Sequence, residues 1–280
     1  MTSFANDTAL TMLDRSMNVP ADARAMLLIV HGLAEHRGRY VKVVEFFNAR
    51  GIACCTFDLR GHGKSPGRRG DVGSFDDFVN DAAMLIDSLK FTYPQLPLFM
   101  WGHSMGAVIA TLAAAERSPK LRGVITSSPP FAAFDKIPWI AAWMMKWLSR
   151  IAPTRMVPLP VKPERLSRDA SVGEAYIADP LVPKTVTVRL LVGLSDASAR
   201  ALRATRRVRV PWLALHGGED RVAPPIGSQR LIDALQSADK QIMLWPAARH
   251  EVHNELEPER TEFLEKIAGW IEERTGDVRS

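Results

Sequence analysis

The stretch from Pro97 to Ala115 constrains this chain more than any other. Pro97-Leu98-Phe99-Met100-Trp101 reads as a buried strand, and Gly102-His103-Ser104-Met105-Gly106 sets a serine between two glycines at G-x-S-x-G spacing. The run from Ala107 to Ala115 then reads as a helix of small residues that can lie close to a sheet. A strand that turns into a helix within five residues leaves no room for side chains at Gly102 and Gly106. It also drives Ser104 into a strained backbone at an exposed corner, above a helix N-terminus that favours developing negative charge. This pattern is a nucleophile elbow and predicts that Ser104 can attack a carbonyl carbon.

The rest of the sequence supplies a matching frame. Apolar runs at 25–30, 52–57, 121–126, 212–215 and 241–244 read as strands. Helical patterns at 41–49, 76–91, 226–235 and 261–274 alternate with them. Such alternation predicts an α/β fold with a mostly parallel sheet flanked by helices, whose functional loops lie at the carboxyl ends of the strands. The alternation fails between 129 and 209, a proline-rich interval with no convincing buried strand. The expected organisation is therefore a core in two parts, 1–128 and 210–280, with 129–209 inserted as a cap or lid. A chain of 280 residues can bury one large core of this kind.

Within the interval, Trp139, Trp143 and Trp147 recur every four residues among Ile140, Met144, Met145 and Leu148, flanked by Lys136, Lys146 and Arg150. Two readings fit this stripe: core packing, or a lid helix that faces lipid or an acyl chain. A net charge of +5, with Arg200, Arg203, Arg206, Arg207 and Arg209 crowded together, fits a solvated basic face or an anionic lipid surface. No zinc spacing or aromatic-basic motif points to nucleic acid. Neither a signal peptide nor a long apolar span is evident, so a cytoplasmic location is expected, with peripheral membrane contact through the cap. Cys54 and Cys55 are adjacent and should point to opposite faces of a strand as buried thiols. No metal and no cofactor are expected, and the oligomeric state is not legible.

A serine hydroxyl needs a base, and the base needs an acid to fix its tautomer. Behind an elbow of this kind the partners follow in the order acid, then histidine. After Ser104 the histidines are His216, His250 and His253. His250 lies in the loop after the last strand, which makes it the expected base. Asp220, in the turn Gly217-Gly218-Glu219-Asp220, is the expected acid, with Glu219 as the fallback and His216 as a structural neighbour. The N–H groups of Met105 and of Leu33, in the loop His31-Gly32-Leu33-Ala34, are the expected oxyanion donors.

The motifs HGLAEHRGRY (31–40), FDLRGHGKSPGRRG (57–70), GHSMGA (102–107), LHGGEDRV (215–222) and RHEVHNE (249–255) occur in that order. Together they resemble the monoacylglycerol lipase and lysophospholipase branch of the α/β-hydrolase superfamily, over nearly the whole chain. The cap stretch LSRDASVGEAYIADPLV (166–182) is similar to the lid of monoacylglycerol lipases. The resemblance implies an α/β-hydrolase fold, Ser104, Asp220 and His250 as a catalytic triad, and Leu33 and Met105 as the oxyanion hole. It also implies a cluster of Glu35, Arg39, Tyr176 and His253 around the glycerol end of a lipid ester. Glu35 and Arg39 could equally pair with each other, and His253 could simply begin the last helix. The expected activity is cleavage of monoacylglycerol to fatty acid and glycerol. Its alternatives are a lysophospholipase or short-chain carboxylesterase, a peptidase, and a ligand-binding protein without catalysis.

Overall fold

In the computed structural model, residues 13–116, 121–159 and 161–276 are described. The strands are β1 (Arg15–Asn18), β2 (Ala25–Val30), β3 (Ile52–Phe57), β4 (Leu98–His103), β5 (Gly123–Ser127), β6 (Met156–Pro158), β7 (Thr185–Thr187), β8 (Trp212–Gly217) and β9 (Lys240–Trp245). The helices are α1 (Val41–Asn48), α2 (Phe75–Thr92), α3 (Met105–Glu116), α4 (Trp139–Ile151), α5 (Ala170–Ala178), α6 (Val188–Ala204), α7 (Ile226–Ala234) and α8 (Glu259–Glu272). Seven strands form one sheet in the order β1-β3-β2-β4-β5-β8-β9. Only β1 runs antiparallel to its neighbour; every other pairing in that sheet is parallel.

The central strands β2, β3, β4, β5 and β8 are buried along their whole length, as expected of a parallel sheet covered on both faces. Alternate side chains of each strand feed two cores. On one face Leu28, Cys55, Met100 and Val124 pack under α2, α3, α6 and α7. On the other, Leu27, Cys54, Phe99 and Trp101 pack under α1 and α8. Cys54 and Cys55 are thus free, buried thiols divided between the two cores. β1, with the sequence Arg-Ser-Met-Asn, is a short polar edge that lacks the apolar pattern of the other strands.

The interval between β5 and β8 holds α4, the two-stranded β6-β7 ribbon, α5 and α6. Its parts differ in character. α6 lays Leu190, Leu194, Ala197 and Ala201 into the first core. α5 and the turn before it build a small cluster of Leu166, Tyr176 and Val182. α4 has no buried residue at all: Trp139, Trp143 and Trp147 are 78%, 62% and 52% exposed. The reading of the tryptophan stripe as core packing is therefore corrected. Helical spacing creates an apolar face, but it does not determine whether protein covers that face. None of the described helices is long and apolar enough to cross a membrane.

A very tight approach lies under the elbow. A Cβ added at Gly106 would stand 2.1 Å from the carbonyl oxygen of Val30, and one at Gly102 would stand 2.2 Å from the carbonyl oxygen of Gly106. The first turn of α3 rests directly on the end of β2, in contact that only glycine permits. Gly106→Ala is expected to lower stability by about 1–3 kcal/mol, the usual cost of overpacking. Urea unfolding measures this, and an unchanged midpoint would contradict the close approach.

Candidate active site

Three non-glycine residues among those described have positive φ: Ala34 (55°), Ser104 (52°) and Ser128 (49°). All three lie at the carboxyl edge of the sheet, after β2, β4 and β5, and each left-handed residue is costly unless its surroundings impose it. At Ser104 the imposition comes from the glycine contacts and from a hydrogen bond of its N–H to the carbonyl of Ser127 (2.9 Å). Ser128 donates its hydroxyl to the carbonyl oxygen of His250 (2.7 Å), which ties the end of β5 to the loop after β9. The loop bearing Leu33 is held by His31, whose Nε2 accepts from the Leu59 N–H (3.0 Å) while Nδ1 donates to the Gly32 carbonyl (2.8 Å). This bonding requires a neutral ring, and burial holds the His31 pKa well below the histidine range.

Ser104, His250 and Asp220 converge although they lie on three different loops. His250 Nδ1 donates to Asp220 Oδ2 (2.7 Å), and His250 Nε2 lies 3.1 Å from Ser104 Oγ. A carboxylate can only accept, so the proton sits on Nδ1 and leaves Nε2 free to take one from the serine hydroxyl. Asp220 is held from the other side: Oδ1 accepts from the N–H groups of Val222 (2.8 Å) and Ala223 (2.9 Å), and Oδ2 also receives His216 Nε2 (3.1 Å). Burial opposes the Asp220 charge. The two histidines more than offset it, and the carboxyl stays far below the usual range. His250 is also penalised by burial, yet the charge and hydrogen bond of Asp220 raise its pKa above the ordinary histidine value. Such a relay can remove a proton from a hydroxyl and return it to a leaving group.

The relay opens into a cavity of about 270 Å3 between the sheet edge and the inserted interval. Phe134, Ile137, Leu191 and Leu194 make one side apolar. Glu35, Tyr176 and Glu251 border the other. Leu33 lines the cavity as well, and Met105, as the first residue of α3, has an N–H that no helical carbonyl accepts. A Cβ at Gly32 would stand 3.1 Å from that of Ser104, so the Leu33 loop lies directly against the elbow.

Glu35, Arg39 and Tyr176 form one cluster, but the ion pairing differs from the simple Glu35–Arg39 pair considered from the sequence. Arg39 makes two parallel hydrogen bonds to Glu251 (2.7 and 2.8 Å), lies 3.5 Å from Glu35, and stacks its guanidinium 5.1 Å from the centre of the Tyr176 ring. Glu251 is fully buried and was not singled out from the sequence; its only signal is its place beside His250. His253 does not line the cavity. It stacks on Tyr40 (5.2 Å) and packs edge-on against Trp101 and His103, and burial pushes it down to about 4. His103 donates to or accepts from Ser127 Oγ (3.0 Å), and its Nε2 is 3.6 Å from Glu35. Ligand-type atoms of Glu35, His103 and Glu251 lie within 4.8 Å of one another. Arg39 supplies positive charge beside the two carboxylates, bonded to Glu251 and 3.5 Å from Glu35.

The family described as "Serine aminopeptidase, S33" matches residues 21–257. A monoacylglycerol lipase of Mycolicibacterium smegmatis is 33% identical over 258 residues, 89% of this chain and 89% of its own length. A human monoglyceride lipase is 32% identical over 254 residues, covering 90% and 84% of the two chains. The crystal structure of a monoacylglycerol lipase from Paleococcus ferrophilus superposes with a TM-score of 0.85 at 34% identity, covering 94% of this chain and 99% of that one. With this fold, this order of motifs and these relatives, the chain belongs to the "Serine aminopeptidase, S33" family of the α/β-hydrolase superfamily, in the branch that holds the monoacylglycerol lipases.

Proposed function

We propose that this protein is a serine carboxylester hydrolase that cleaves monoacylglycerol to fatty acid and glycerol. One observation carries the reading: the Ser104–His250–Asp220 relay faces a cavity that is apolar on one side and bordered on the other by Glu35, Tyr176 and Glu251, with Arg39 held between them. The relatives named monoacylglycerol lipase support it.

In this reading Ser104 is the nucleophile, and His250 takes its proton as Oγ attacks the ester carbonyl. The N–H groups of Leu33 and Met105 hold the oxyanion, and Asp220 stabilises the imidazolium. His250 then gives the proton to the departing glycerol oxygen. Water, deprotonated by the same ring, opens the acyl-enzyme and releases the fatty acid and free Ser104. Glu35, Arg39 and Tyr176 meet the glycerol end. His253, packed behind them, supports the cluster without lining the cavity.

Segment 129–209 is read as the cap, with α6 serving both cap and core. α4 carries an exposed apolar face and no acidic residue, beside Lys136, Lys146 and Arg150. Those features suit peripheral docking on an anionic bilayer, the source of an insoluble substrate. Arg165 and Arg221 line the same cavity, and they favour a lysophospholipid phosphate as the second reading.

The deciding measurement is kcat/KM on oleoyl esters that differ only in head group: monoacylglycerol, diacylglycerol, lysophosphatidylcholine and p-nitrophenyl ester. Monoacylglycerol is expected to lead, Ser104→Ala to lose roughly 10^4- to 10^6-fold, and Asp220→Asn about 10^4-fold. Preference for the lysophospholipid would move the substrate to the second reading, and cleavage of amides alone would make the enzyme a peptidase. Because a protonated His250 cannot act as base, kcat/KM should fall on the acid side at a pH above the ordinary histidine value of about 6.5. A limb at or below that value would contradict the raised pKa of His250. Trp143→Ala should weaken sedimentation with phosphatidylglycerol vesicles several-fold while leaving hydrolysis of a dispersed short-chain ester unchanged; equal sedimentation would remove α4 from the docking face.

A further inference from the structure

Glu251 has no part in the relay, yet it is the most completely buried carboxylate facing the cavity. Its side chain receives both ends of the Arg39 guanidinium and the Asn254 amide (2.8 Å), and its own N–H bonds the Leu166 carbonyl of the inserted interval (2.7 Å). Glu251 is thereby fixed from three sides. Among the described residues, Glu35, the other carboxylate, receives a hydrogen bond from Tyr40 alone (3.1 Å), with a longer ion pair to Arg39 (3.5 Å) and His103 at 3.6 Å. There are two carboxylates and one guanidinium, and Glu251 holds the guanidinium.

We propose that Glu251 is a positioning residue for head-group selectivity: by clamping Arg39 it leaves Glu35 as the more weakly held carboxylate of the cavity, whose ionisation determines how firmly a vicinal diol is held. This rests on the monoacylglycerol reading above. An ionised carboxylate accepts a hydrogen bond from each of two neighbouring hydroxyls, whereas a protonated one offers a weaker, mixed pattern. The groups that face Glu35 are Arg39 and Tyr40 from its own segment, His250 and Glu251 from the loop after β9, His103 from β4 with His253 packed against its ring, and Tyr176 from α5. Burial and the negative charge of Glu251 push Glu35 up to about 7, against the pull of Arg39 and His250, while Arg39 holds Glu251 low. Removing the Glu251 charge relieves the repulsion and frees Arg39 to close on Glu35, so both effects favour ionised Glu35.

The test reads Glu35 directly. In full-length protein labelled with 13C at the glutamate carboxyls, the Glu35 signal is assigned by its loss in Glu35→Gln and titrated in wild type and Glu251→Gln. The wild-type midpoint is expected near pH 7 and that of Glu251→Gln at least one unit lower; an unmoved midpoint overturns the proposal. Should Glu251→Gln not fold, Arg39→Gln is read instead: with the cation gone the Glu35 midpoint should rise, and a fixed midpoint again overturns it. The second readout is the ratio of kcat/KM for monooleoylglycerol to that for p-nitrophenyl oleate, in which titration of the shared base divides out. The ratio should rise with pH through the Glu35 midpoint, through KM and not kcat, and the rise should move down with it in Glu251→Gln. A ratio flat with pH, or equal losses on both esters, overturns the role in selectivity. A wild-type enzyme that leaves monooleoylglycerol intact instead overturns the underlying reading, and the NMR titration still judges the clamp.

Discussion

The contact of α3 with the end of β2 is the constraint on which the rest of the site depends. Because Gly106 lies against the Val30 carbonyl and Gly102 against the Gly106 carbonyl, the chain can leave β4 and enter α3 only through a left-handed residue. That residue is Ser104. The strain is sustained by two fully buried cores on either side of the sheet, and it holds a hydroxyl at the corner where three other loops end. Two of those loops carry left-handed residues of their own, Ala34 and Ser128, so the serine environment is rigid on every side that the sheet supplies.

The opposite wall is supplied by the inserted interval, part of which is bonded directly to the loop that carries His250. The segment leading into α5 is tied to the His250 loop by Arg249 to the Glu164 and Ser167 carbonyls, by Glu251 to Leu166, and by Arg168 to Glu255. His36 adds a bond to Asp179 at the end of α5 (2.7 Å). The polar side of the cavity, with Tyr176 over Arg39, is therefore part of the same rigid body as the relay. α4, with its tryptophans exposed, is tied instead to α6, through the Lys146–Asp196 ion pair (2.7 Å) and the backbone bonds of Val188 and Arg189 to Arg155 and Pro153.

Much of this was legible in the sequence, for identifiable reasons. Buried parallel strands are continuous apolar runs, so β2 and β3 were located to the residue, and Ser104, Asp220 and His250 each sit where a strand ends in a turn signal. β1 escaped notice because an exposed antiparallel edge needs no apolar pattern. Glu251 escaped because a buried arginine requires a carboxylate without specifying which one. The i, i+4 spacing of Glu35 and Arg39 suggested their pairing, while the Arg39 side chain reaches across to the loop after β9. The tryptophan stripe of α4 remained ambiguous for a similar reason, since periodicity defines a face but not its partner.

The central claim is that the fold makes one serine a nucleophile. The most direct measurement is to treat the intact protein with a fluorophosphonate probe and map the adduct by peptide mass spectrometry. A single adduct on Ser104, abolished in His250→Ala while that variant keeps its wild-type circular dichroism, is the expected result. No adduct, or one on another residue, would contradict the claim.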